Sequence, residues 1–172
     1  MFVEEPATPE NMSIIADIAK KTGVPIAAGE RLFTRFGFRE AFELHAIAVA
    51  QPDLCHCGGI LEAKKIAAMA ETYFIQVAPH NPLGPISLAA CLQLDTCIPN
   101  FLVQEHPGNP DKSDLGVGYI TEPFVIKDGY IDVPTKPGLG VELDEAALQD
   151  KLYDGKWTTP RQYYEDGSNA DW

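Results

Sequence analysis

Five titratable residues recur along this chain: Glu4 (or Glu5 beside it), Glu30, Asp53, His80 and Glu105. They fall about every 25 residues, and each follows a short apolar run, so each closes one unit of a strand–helix repeat. In a parallel α/β barrel such positions share one rim, where such folds place their chemistry. Four carboxylates converging there repel one another. They need a cation, a shared proton or a protonated imidazole between them. Two carboxylates with open coordination positions suit Mg²⁺, a hard ion that prefers oxygen. A histidine oriented by an aspartate can move a proton. Together these parts point to abstraction of a proton next to a carboxylate, with a divalent ion stabilising the resulting enediolate. The outcome, whether racemisation, elimination or cycloisomerisation, stays open at this level.

Each residue also has an ordinary reading. Glu4 or Glu5 can be a solvated charge, Glu30 a partner for Arg31 or Arg35, and Asp53 a turn residue. His80 can be a satisfied surface imidazole and Glu105 a loop charge. The periodic placement at successive strand ends favours the collective reading. His45 reads as a charge facing a helix C-terminus, and no role is derived for His56 or His106.

The elements that must position these groups are legible in outline. Phe2-Val3 begins a strand. Thr8-Pro9-Glu10 reads as a helix start with Thr8 as N-cap, and the apolar periodicity of Met12, Ile14, Ile15, Ile18 and Ala19 continues it, with Gly23 as a left-handed cap. A strand over 24–28 ends at Glu30, and a helix over 35–45 follows. A third strand over 46–51 ends at Pro52-Asp53. Gly58-Gly59 open a helix over 60–71, with Glu62, Lys64, Lys65 and Glu71 outward. An apolar run over 73–78 stops at Pro79-His80, a helix follows over 86–94, and Phe101-Leu102-Val103 makes a fifth strand. Uniformly apolar strands alternating with helices mean a parallel sheet covered on both sides. The fold class is therefore α/β, a partial (β/α) barrel over 1–106. Residues 107–172 form a C-terminal loop, a hairpin turning at Asp128-Gly129, a short helix capped by Asp144, and a tail that lies on another surface.

Composition sets outer limits. The 172 residues carry a net charge of −12, which argues against nucleic acid or an anionic membrane as partner. No run approaches a membrane span and the start lacks a signal-peptide pattern, so a cytoplasmic protein is expected. Cys55-His56-Cys57 lacks the spacing and second ligand pair of a structural zinc site, and the four cysteines read as reduced thiols, with Cys91 and Cys97 filling a helical core.

The segments FVEEP, GERLFTR, QPDLCHCGG, APHNPLGP and NFLVQEH occur in this order and spacing. They resemble the enolase superfamily, mandelate racemase subgroup, and within it most closely the D-galactonate dehydratases, to which the ending DGSNADW is also similar. The resemblance covers nearly the whole chain. It implies the C-terminal part of a (β/α)7β TIM-like barrel, about five of its strands, without the capping domain. It implies Mg²⁺ held by Glu4, in preference to Glu5, and by Glu30. Asp53 would hydrogen-bond the catalytic His80, His80 would protonate a departing 3-hydroxyl, and Glu105 would lie near the substrate carboxylate. The implied activity is that of a hydro-lyase: a sugar acid such as D-galactonate loses water through an enediolate to give a 2-keto-3-deoxy acid. Another acid-sugar dehydratase or a racemase of the subgroup is an alternative. Family members carry, before EEP, a further metal-binding Asp with a His base two residues on. Neither has a counterpart here, so the resemblance equally allows a non-catalytic chain, or one acting as a homo-oligomer or with a missing N-terminal half.

Overall fold

The computed structural model describes residues 1–107, 115–156 and 161–170. Its centre is a parallel sheet in the order β1-β2-β3-β4, formed by Val3–Glu4, Ile26–Ala28, Val49–Ala50 and Gln76–Val77. Each strand pairs with its successor in sequence, as sequential right-handed strand–helix units demand. The helices between them are α1 (Met12–Lys21), α2 (Thr34–Glu43) and α3 (Gly59–Glu71), and α4 (Pro85–Asp95) follows β4. The fifth run pairs more briefly than its apolar residues suggest. Phe101 makes a single parallel bridge to Val77, and the backbone bonds Val77 N to Asn100 O and Leu102 N to Val77 O, both 2.8 Å, hold it. Among the described residues it has no strand on its far side to extend the ladder.

Strand alternation divides the core. Ile26, Ala28, Ala50 and Val77 face the helices and join the main cluster with Ile15, Phe38, Phe42 and Ile66. The intervening Ala27, Val49 and Ala78 face the other way and pack with Phe2, Leu102 and Val103. Both sheet faces are thus largely apolar, with Glu4 and Gln76 as the exposed polar residues of the strands on the second face.

Several local expectations are corrected. Helix α1 starts at Met12 rather than Pro9, because Asn11 is the effective cap: its Oδ1 accepts from Ser13 N at 3.1 Å. Its end passes through an extended Thr22, so Gly23 takes no left-handed cap. Helix α2 is closed instead by His45 itself, at φ 50°, whose ring lies edge-on to Tyr73. Cys97 lies beyond α4 and is exposed, whereas Cys57 and Cys91 are buried; all four thiols are free. Burial raises the Cys57 thiol to about 11, which leaves it protonated and unreactive at neutral pH.

Beyond residue 115 the chain packs onto α4. Leu115, Ile120 and Phe124 form a second cluster with Leu88, Ala89 and Leu92. Two antiparallel strands follow, β5 (Ile126–Lys127) and β6 (Tyr130–Ile131). Their turn residues Asp128 and Gly129 both have positive φ, 52° and 82°, as a two-residue turn matched to strand twist requires. Asp144 caps α5 (Glu145–Leu148), accepting from Ala147 N at 3.0 Å. In the tail, residues 162–170 close on themselves through Ala170 N to Gln162 O and Tyr164 N to Ser168 O, both 2.9 Å. The polar loop expected after His106 lies largely outside the described residues.

Candidate active site

At the C-terminal ends of the strands, Asp53, His80 and Glu30 meet directly, and Glu105 is tied to Asn81, the residue after His80. Asp53 and His80 sit opposite each other in a parallel bridge that continues the β3–β4 pairing. The Asp53 side chain is fully buried. Its Oδ1 accepts from the backbone N–H of Cys55 at 2.7 Å, and its Oδ2 lies 3.0 Å from Nδ1 of His80. The turn after β3 shapes this arrangement, since His56 N and Cys57 N both donate to Asp53 O. The opposite ring nitrogen of His80, Nε2, lies 2.9 Å from Oε2 of Glu30. The imidazole is thus held between two carboxylates from two neighbouring loops.

This geometry admits two proton arrangements. Either an imidazolium donates to both carboxylates, or a neutral ring donates at Nδ1 and accepts at Nε2 from a protonated Glu30. Burial holds the Glu30 carboxyl above the usual carboxylate range. The His80 charge opposes that rise, while the charges of Glu5 and Glu4 add to it.

Glu4 is exposed at the end of β1. Its pairing partner is Ala27, so it belongs to the same sheet face as Ala27, Val49 and Ala78. Glu5 instead turns away through a positive φ of 37° and meets Arg31: Nε at 2.8 Å and Nη2 at 2.7 Å, both on Oε2. Close approach of the strands fixes what can precede Glu30. A Cβ on Gly29 would stand 2.8 Å from the backbone N, C and O of Gln51. No larger residue fits where the β2 loop crosses β3.

Glu105 lies further along the row. Its Oε2 accepts from the backbone N–H of Asn81 at 2.8 Å, so it is tied to the residue after His80. Asn81 is fully buried and its Nδ2 reaches Glu105 O at 3.5 Å.

Six further residues take part in contacts that were not assigned from the sequence. Asn81 splices the His80 loop to the Glu105 loop. His56 places Nδ1 3.7 Å from Asp53 Oδ2, making a second imidazole on that carboxylate. Glu5 and Arg31 form the ion pair just described. A further bracket joins α2 to α3: Arg35 N and Nη1 donate to Glu62, at 2.9 and 2.8 Å, which holds that carboxyl below its ordinary range. Glu62, expected outward, faces a neighbouring helix instead, because the first turn of α3 lies against the start of α2. Asn81, His56, Glu5 and Arg31 each lie within three residues of a predicted residue, and that adjacency was the available signal; Arg35 and Glu62 lack it, and every partner except that of His56 is 24 to 27 residues away.

Among the described residues no group of three or more His, Cys, Asp or Glu side chains is arranged to hold a metal ion. Glu4, at the end of β1, and Glu30, in the turn two residues beyond β2, are hard oxygen donors of the type that suits Mg²⁺ bound largely by water and substrate.

Comparison with known proteins identifies the family of the chain. Residues 1–147 match the family model described as enolase C-terminal domain-like. The chain belongs to this family. Enolase-type relatives include the D-galactonate dehydratases of Ralstonia pickettii (strain 12J) and Ralstonia nicotianae, each 43% identical over 177 residues. All of this chain is covered in both matches, but only 46% of either relative, so the chain spans about half the length of the curated relatives it matches. A crystal structure of a mandelate racemase/muconate lactonizing enzyme from Sulfitobacter sp. aligns with TM-score 0.80 and 41% identity, covering 91% of this chain and 39% of that one. An enolase from Agrobacterium radiobacter with bound Na and L-malate aligns with TM-score 0.86 and 32% identity, over 98% of this chain and 45% of that chain. The parallel sheet with its helices is therefore part of an α/β barrel of the TIM type, and the relatives named as dehydratases are hydro-lyases. No helix among the described residues is long and apolar enough to cross a membrane.

Proposed function

We propose that this chain is the C-terminal portion, strands four to eight, of a (β/α)7β barrel enzyme that dehydrates a sugar acid of the D-galactonate type. The observation that carries the reading is His80 held between Asp53 and Glu30, with its Nδ1 committed to a buried carboxylate. Asp53 fixes the ring's orientation and favours a proton on Nδ1, so Nε2 is the working nitrogen. In the reaction a sugar acid loses its C2 hydrogen as a proton and its C3 hydroxyl as water, leaving a 2,3-enol that takes a proton at C3 and gives up its hydroxyl proton to become the 2-keto-3-deoxy acid. His80 donates the proton that lets the hydroxyl depart, and the C3–O electron pair leaves with it. Glu4 and Glu30 would hold Mg²⁺, which when bound supplies positive charge for the substrate carboxylate and the enediolate. With Mg²⁺ held there, Glu30 would give up its 2.9 Å contact with Nε2, leaving Nε2 to face substrate. Glu105, fixed through Asn81, lies beside the carboxylate end of the substrate. The base that takes the C2 proton is not assigned to a residue of this chain, so full turnover calls for a second polypeptide or further barrel residues. Four free thiols support a cytoplasmic setting.

The test assays the purified chain with Mg²⁺ and D-galactonate. It is run alone and with the N-terminal portion of the Ralstonia pickettii dehydratase added in trans, with the 2-keto product trapped as a semicarbazone. Turnover should depend on the added portion and vanish in His80→Asn. Turnover unchanged by His80→Asn would overturn the assignment.

A further inference from the structure

Strand β1 is two residues long and lies at the edge of the sheet, with β2 as its neighbour. The backbone bonds Val3 N to Pro25 O and Glu5 N to Ala27 O, both 2.9 Å, hold it there. An edge strand so short is weakly restrained. Yet it carries Glu4, whose carboxylate must stand at a set distance from Glu30 if one cation is to touch both. The residues that immediately follow this pair, Glu5 and Arg31, make the contact that compensates. Two guanidinium nitrogens close on one carboxylate oxygen, and the Glu5 side chain is only 11% exposed. Its other oxygen, Oε1, is buried with no hydrogen-bond partner, and its backbone holds a left-handed φ of 37°. A buried orphan oxygen and a strained backbone are both unfavourable. They persist because the contact to Arg31 holds Glu5 in place.

We propose that Glu5 and Arg31 are positioning residues: their ion pair locks the end of β1 to the loop after β2 and thereby sets the separation of the Glu4 and Glu30 carboxylates for a divalent cation. This rests on the reading of Glu4 and Glu30 as metal ligands given above. The pair has a distinctive consequence. Arg31 is a positive charge close to a cation site, so by its field alone it opposes metal binding. Removing it should tighten binding if field were its only effect, and should weaken binding if position is its role.

The full chain is titrated with Mn²⁺, and free Mn²⁺ is read by electron paramagnetic resonance. Arg31→Met and Glu5→Gln should each raise the dissociation constant about tenfold, the loss typical when a group that orients a ligand is removed. The double variant should bind no more weakly than the worse single one, because the Glu5–Arg31 contact is already lost in each single variant. Arg31→Lys keeps the charge but loses the two-nitrogen fork. It should fall between wild type and Arg31→Met, and it decides the matter if Arg31→Met lacks a cooperative melt. Binding by Arg31→Met (or by Arg31→Lys in that case) as tight as wild type or tighter overturns the positioning role while leaving the metal reading intact. Wild-type Mn²⁺ binding that is insensitive to Glu4→Gln and Glu30→Gln overturns both.

Discussion

Asp53 and His80 should be energetically coupled in folding, independently of catalysis. His80→Ala leaves the Asp53 carboxylate buried. Oδ1 keeps the Cys55 N–H at 2.7 Å, but Oδ2 loses the imidazole at 3.0 Å. Breaking a buried charge pair by deleting one partner typically costs about 3–5 kcal/mol. The His56 nitrogen, 3.7 Å from the same oxygen on a half-exposed ring, can move in and compensate in part. The expected loss is therefore near the lower bound, about 3 kcal/mol. Asp53→Asn keeps an oxygen for Cys55 and offers an amide to His80, so its cost is about 1–2 kcal/mol. In the double variant the vacated ring volume remains, but no buried charge is stranded. The cost should then fall short of the sum of the single costs by about 2 kcal/mol. Urea unfolding of the full chain and the three variants at one pH measures the cycle, and the cavity left by the ring cancels between its arms. Additivity within about 0.5 kcal/mol would refute the reasoning, because the contact would then contribute nothing specific to the fold.

Two further outcomes follow from single positions. Asp95, near the end of α4, has both carboxylate oxygens buried without a hydrogen-bond partner, and burial pushes its carboxyl from 3.8 up to about 8. The unfolded chain therefore loses this proton near pH 4 and the folded chain only near pH 8. Stability falls as pH rises between those values, by at most about 6 kcal/mol at 1.36 kcal/mol per tenfold in proton affinity. Thermal melts from pH 5 to 8 should show this decline, and Asp95→Asn should flatten it; an unchanged slope in Asp95→Asn would assign the decline elsewhere. Gly29→Ala puts a methyl group 2.8 Å from the Gln51 backbone, which cannot rotate away. A loss of about 3 kcal/mol in urea unfolding is expected, and a loss under about 1 kcal/mol would mean that the β2 and β3 ends part easily.

The chemistry-bearing residues and their order were present in the sequence because a strand–helix unit has a nearly fixed length, so strand ends recur at a readable interval. The parallel sheet was readable for a related reason: the runs Val24 to Ala28 and Tyr73 to Ala78 are apolar except at Gln76, as a sheet covered on both faces favours. Helix boundaries were less legible. Thr8-Pro9 and Asn11 are both good starts, and only the actual hydrogen bond from Ser13 N chooses Asn11. The resemblance to a family supplied candidate roles that spacing could not.

Which side chains meet was decided by the tertiary structure. The sequence places Glu30 and His80 at two strand ends, but strand adjacency and loop direction bring Oε2 to 2.9 Å from Nε2. It offers Glu4 and Glu5 as equivalent neighbours. The pairing of Glu4 with Ala27 assigns one to the inner sheet face, and a left-handed backbone at Glu5 delivers the other to Arg31. Partners such as Arg31, Asn81 and Glu62 answer residues more than twenty positions away. Local propensity carries no information across that distance; the packing of one unit against the next creates it.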